Sequence, residues 1–356
     1  MTGAFDEDRR RLTALRLTAL GIADATASSP AAVVRHLLAL QGQDYAGALW
    51  SIGLRSGATA TDVEAAFQRG ELVRSWPFRS TLHVVEAEDL GWMIALTADR
   101  EHRAAAGRHR QLGLEPADFV EAERLARRRL HGGRLERREL LAAFAADGLD
   151  VAGQRGAHLL VRLAQSGVAV LAGKDTWTLL DDHVTAPRRL DRDTALREVA
   201  RRFLTARGPA TDRDLAWWTG LTLTDVRAAI ADVADEFESL ELGGTRYLLR
   251  PGLAEAAAGV HALPGFDEYL LGYTDRRAPL AGRPLSDVVP GGNGMFLATI
   301  VVDGRIVGTW RRSVRARGLV VETAPFGILT ARARRGFEAA IERYAAHLGL
   351  PLLAVD

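Results

Sequence analysis

Two neutral amides stand out in this 356-residue sequence. They are Gln41 and Gln43 in the run Gln41-Gly42-Gln43-Asp44-Tyr45, directly behind the apolar stretch Leu37-Leu38-Ala39-Leu40. An amide both donates and accepts hydrogen bonds but does not titrate, so a pair two residues apart suits chemistry by positioning. The same run also fits a helix C-terminus, with Gly42 at the cap and both amides in solvent. Familiar catalytic signatures are missing: no glycine-rich phosphate loop opens a helix, and there is no nucleophile elbow. The chain has no cysteine, which removes thiolate zinc sites, disulfides and cysteine nucleophiles together. His102 and His109, or His158 and His183, have separations that suit no ligand pattern, so neither a metal nor a cofactor is expected.

A second group of candidates is basic. Arg79-Ser80-Thr81-Leu82-His83 reads as a strand, and Arg276-Arg277 and Arg311-Arg312, followed by Arg315 and Arg317, flank expected β-turns. Such runs suit contacts to a nucleic-acid backbone, and solvated surface explains any one of them as well. Lys174 is the only lysine, so arginine, whose planar fork pairs with phosphate, carries nearly all the positive charge. The codon usage of a GC-rich genome accounts for that imbalance equally. The formal net charge of +1 leaves room for basic residues gathered on one face.

The elements that would carry these residues recur in a rhythm of helices followed by a short β segment, which is the grammar of a winged helix. In the first round Arg9–Ala19 is amphipathic, Ser29-Pro30 opens a helix through Leu40, a third runs from Thr59 or Thr61 to Phe67, and 79–85 forms a wing strand. The second has helices over 119–130, 135–146 and 154–165, then a hairpin of 168–172 and 176–180. The third has helices over 194–207, 211–219 and 222–233, with a hairpin of 238–242 and 245–249 across Gly243-Gly244. After Pro251 glycine turns and strands take over: 296–302 pairs with 305–311 across Asp303-Gly304, 318–323 joins them, and 329–348 is a long helix. The expected fold is α+β, with winged-helix units at 1–112, 113–190 and 191–251 and a C-terminal β-rich module with a terminal helix at 252–356. Phe266–Tyr273 reads as a structural joint, with Asp267 and Glu268 as a carboxylate pair or in capping roles.

Composition agrees with a soluble globular chain, at 47% hydrophobic and 26% charged residues. No stretch approaches the roughly 20 apolar residues of a membrane span. The acidic start, Asp6-Glu7-Asp8, lacks the basic and apolar regions of a secretory signal, and with no cysteine a reducing cytoplasm is the expected compartment; a monomer is expected as well.

Five elements in one order carry a resemblance: Gln41-Gly42-Gln43, Arg79 to His83, Gly208-Pro209-Ala210-Thr211 with Trp217 to Leu221, Phe266 to Tyr273, and Gly304 to Arg312. Together they resemble the winged-helix DNA glycosylases of the AlkZ and YcaQ type over nearly the whole chain. The resemblance implies tandem winged helices around a concavity for double-stranded DNA, and excision of N7-alkylated purines, including bulky antibiotic adducts or interstrand crosslinks. Members in antibiotic producers serve self-resistance. The family's catalytic pattern of glutamine, an aliphatic residue, then glutamine or aspartate falls on Gln41 and Gln43, with Gly42 a departure at the middle position. The final glutamine puts the chain nearer the AlkZ branch. A second pattern falls on Thr81 and His83.

By that resemblance Gln43 would orient the attacking water with Gln41 as its partner, since N7 alkylation has already made the base a good leaving group. His83 would hold a flanking phosphate or steady Gln43, and Thr81 and Arg79 would touch backbone. His83 also fits a plain strand histidine. Glycosylases that cut the strand as well use an amine, and one lysine in the expected turn Gly173-Lys174-Asp175 points instead to a monofunctional enzyme. The competing reading is a winged-helix regulator or DNA-binding protein without chemistry.

Overall fold

The computed structural model describes residues 2–25 and 27–356. The chain forms a mixed α+β structure of two compact units, Met1–Val63 with Arg197–Asp356, and Glu64–Leu196.

In the first unit the helix Pro30–Leu37 starts as its sequence dictates, with Ser29 accepting from the Ala32 amide and proline in the first turn. It ends three residues sooner than expected. Leu38 turns to φ 65°, and Ala39–Gln41 is a buried strand, so Gln41 is not a solvated helix end. A helix the sequence pattern did not reveal, Tyr45–Ser56, follows at once and closes on Gly57 in the left-handed region.

Further on, the helices Asp212–Thr219 and Leu223–Asp232 are capped by Thr211 and Thr222. They lead into the hairpin Glu238–Leu242 and Thr245–Leu249, where Gly243 and Gly244 both take positive φ as a type I′ turn requires. The C-terminal sheet has five strands in the order Leu352–Val355, Gly318–Pro325, Arg305–Arg315, Ala298–Val302, Val260–Leu263. Its Asp303-Gly304 turn is the expected one, whereas both edge strands are additions to the sequence reading. The helix Ala331–Leu348 carries Phe337, Ile341 and Tyr344 on its buried face.

The second unit places the helices Pro116–Leu130, Arg137–Ala146 and Arg155–Gln165 around a core that includes Phe144, Leu159, Leu163 and Trp177. Its strands run in the order Thr81–Glu86, Leu72–Phe78, Ala169–Leu171, Thr176–Leu179, Leu135–Glu136. The segment 79–85 is not one strand. Arg79 and Ser80 form a two-residue turn at φ 51° and 49°, and they join Thr81–Glu86 to Leu72–Phe78. Two non-glycine residues in the left-handed region are costly and persist only where the surroundings hold them. Here Ser80 donates to Glu101 and accepts from the Gln165 amide.

Candidate functional site

The two glutamines form one hydrogen-bonded unit whose polarity follows from a single backbone donor. The Gln43 N–H donates over 2.9 Å to the side chain of Gln41, so the atom facing it must be the Gln41 carbonyl oxygen. That leaves the Gln41 NH₂ turned toward Gln43, where it donates over 3.3 Å, and only a carbonyl can receive it. Gln41 is 7% exposed and Gln43 is exposed. The inner amide is therefore consumed in aiming the outer one. The Gln43 carbonyl keeps a second lone pair, and its NH₂ remains a donor at the surface.

The strand under the pair is fixed by a buried ion pair. Arg207 and Glu268 have side chains 0% and 1% exposed and meet at 2.8 Å. One Glu268 oxygen accepts from Arg207 and from the Trp218 indole at 2.9 Å, and the other accepts from the Gln41 backbone N–H at 3.2 Å. Arg207 also donates to the carbonyls of Leu37 at 2.7 Å and Ala39 at 2.9 Å, gripping both sides of the strained Leu38. Its guanidinium lies 4.2 Å from the Trp218 ring centre. Burying this charge is tolerable because every acceptor is used and the pairing is hydrogen-bonded throughout.

Asp267 carries a parallel duty. It caps the helix Glu268–Leu271 through the Tyr269 N–H and binds both terminal nitrogens of Arg55 at 2.9 and 3.0 Å. Burial pushes its carboxyl up, but the Arg55 charge and hydrogen bonds outweigh that and hold it below the usual carboxylate range. Asp267 and Glu268 thus act as cap and joint. Sequence reasoning had no view of Arg207 and Arg55 as their partners, which lie 61 and 212 positions away.

The remaining candidates divide between the units. In the second, His83 is 1% exposed and its Nδ1 lies 2.7 Å from the Thr81 carbonyl, so Nδ1–H donates there. The Thr81 hydroxyl donates to the Arg79 carbonyl at 3.3 Å. In the first, Arg276 donates to the Leu270 carbonyl at 2.7 Å and lies over Trp217, which makes it partly a structural residue. Arg277 pairs with Asp275, and Arg311 with Glu322, both arginines largely exposed. Arg312 donates to the Tyr344 hydroxyl at 2.8 Å and stands 3.8 Å from Asp44, so it belongs to the surroundings of the glutamine loop. Among the described residues no group of three or more His, Cys, Asp or Glu could hold a metal ion, and no helix is long and apolar enough to cross a membrane.

A scan against protein families matches residues 34–347 to the family described as DNA glycosylase AlkZ-like. An interstrand DNA cross-link repair glycosylase of Streptomyces sahachiroi is 27% identical over 322 residues, covering 85% of this chain and 87% of that protein. The solved structure of the Streptomyces sahachiroi DNA glycosylase AlkZ superposes with a TM-score of 0.79 at 25% identity, covering 98% of each chain. With a buried glutamine aiming an exposed one in the matched region, the chain belongs to the AlkZ-like DNA glycosylase family.

Proposed function

We propose that this protein is a monofunctional DNA glycosylase that hydrolyses the N-glycosidic bond of N7-alkylated purines, bulky adducts and interstrand crosslinks included. It would serve DNA repair or self-resistance to a DNA-alkylating natural product. The observation that carries the reading is the polarised Gln41–Gln43 pair, in a chain whose family is defined by base excision. The C1′–N9 bond breaks, and its electron pair neutralises the cationic base, so no general acid is needed. The sugar becomes oxocarbenium-like, and water held by the Gln43 carbonyl adds at C1′.

Three winged-helix units would present the site to the duplex. Arg276, Arg277, Arg311, Arg312 and Arg79 would meet phosphates, and Thr81 and His83 the backbone beside the lesion. Arg311 and Arg277 have only surface partners, which exchange readily for phosphate.

The test uses duplex DNA carrying N7-methylguanine. The protein is expected to release the free base and leave heat-labile abasic sites, with no adduct on borohydride treatment. Gln43→Ala is expected to bind the duplex while excision falls by at least tenfold. DNA binding without any base release by the native protein would establish the non-catalytic reading instead, and a borohydride-trapped adduct lost in Lys174→Ala would overturn the role of water.

A further inference from the structure

Hydrolysis leaves one proton unassigned, because an amide can orient water but cannot take up its proton at neutral pH. The carboxylates joined to the glutamine loop narrow the choice. Glu268 is 1% exposed and already accepts from Arg207, Trp218 and the Gln41 N–H, so it has no room for a water. Asp267 is spent on Arg55, Ser51 and the Tyr269 amide.

Asp44 differs. It follows Gln43 directly, the chain bends at both residues, and its side chain is 36% exposed. It occupies the N-cap position of Tyr45–Ser56 yet makes no side-chain capping bond, so the carboxylate is not consumed by the helix. Its placement is specific: a Cβ on Gly47 would lie 2.5 Å from Asp44 Oδ2, so the carboxylate rests where only glycine leaves space. Arg312 Nη2 stands 3.8 Å from the other oxygen.

We infer that Asp44 is a third functional residue of the site, the base that takes the proton from the water held by Gln43 and the counter-charge to the oxocarbenium-like sugar. Water oxygen bonds to C1′ as its proton passes to the Asp44 carboxylate, and the bond electrons leave with the base. This rests on the glycosylase reading.

The test compares Asp44→Asn and Asp44→Glu under single-turnover conditions on N7-methylguanine duplex, with duplex affinity measured alongside. Asparagine caps a helix as well as aspartate and glutamate does not, so the two roles predict opposite orders. For the proposed role, Asn loses tenfold or more in excision rate at unchanged affinity, and Glu retains more activity than Asn. Native rates in Asp44→Asn, or Asn outperforming Glu, would overturn it while leaving the glycosylase reading intact. Failure of the native protein to release base would remove that reading and this one together. Circular dichroism of both variants shows whether the fold is kept, and Gly47→Ala, which displaces the same carboxylate without changing its charge, supplies a second variant expected to slow excision.

Discussion

At the scale of single residues, the glutamine pair is a directional device: a backbone N–H orients Gln41, and Gln41 orients Gln43. Changing Gln41 to Glu keeps the size and the acceptor facing the Gln43 N–H but replaces the NH₂ donor by a second carboxylate oxygen. That oxygen would face the Gln43 carbonyl, and the pair would repel until Gln43 turned its NH₂ inward. The lone pair meant for water would then point away. Gln41→Glu is thus expected to cost at least tenfold in excision rate with little change in duplex affinity, and rates equal to the native protein's would show that Gln41 does not set the polarity of Gln43. The pair was legible in the sequence because two amides behind four apolar residues are out of place. The direction of the hydrogen bonds was not legible, since it depends on a bend at Gln43 that composition does not encode.

At the scale of elements, four segments meet at Arg207 and Glu268: the end of helix Arg192–Arg207, the strand Ala39–Gln41, the helix Asp212–Thr219 through Trp218, and the helix Glu268–Leu271. Removing one partner of such a pair strands the other in the core, at a cost of about 3–5 kcal/mol. Arg207→Met is expected to lower the stability measured by urea denaturation by that order. Adding Glu268→Gln should recover part of it, because the second change neutralises the stranded carboxylate. A double variant as unstable as the sum of the two single ones would show that the residues act independently. The segment Phe266–Tyr273 was readable as a joint, but its partners were not, because Gln41 and Glu268 are 227 positions apart. What local chemistry writes was read well: the turns at Asp303-Gly304 and Gly243-Gly244, and the threonine and serine caps. The helix Tyr45–Ser56 escaped because Gly47 through Arg55 are buried all round and show no polar face. The strand Leu72–Phe78 escaped because Pro77 breaks its pattern.

At the scale of the whole molecule, burial of histidines ties folding to pH. His36, His261 and His347 are all lowered from their ordinary pKa, with burial as the leading cause in each. His261 is the extreme case, 7% exposed on the edge strand Val260–Leu263 and lowered from 6.5 to about 4. The charges of Arg343 and Arg55 add to the effect of burial, and Asp303 and Asp24 oppose it. The sign follows from proton binding. Between pH 6.5 and about 4 the unfolded chain takes up a proton at this imidazole that the native state refuses, so acid favours unfolding. Stability is full above 6.5 and is lost as pH falls toward 4, and at about 1.4 kcal/mol per pKa unit His261 alone contributes on the order of 3 kcal/mol. The urea midpoint is therefore expected to fall between pH 7 and pH 5, before most carboxylates titrate. His261→Leu should flatten that part of the profile by removing the proton uptake, while His36 and His347 keep a residual slope. Equal midpoints at pH 7 and pH 5 in the native protein, or an unchanged slope in His261→Leu, would mean that His261 is not held neutral by the fold.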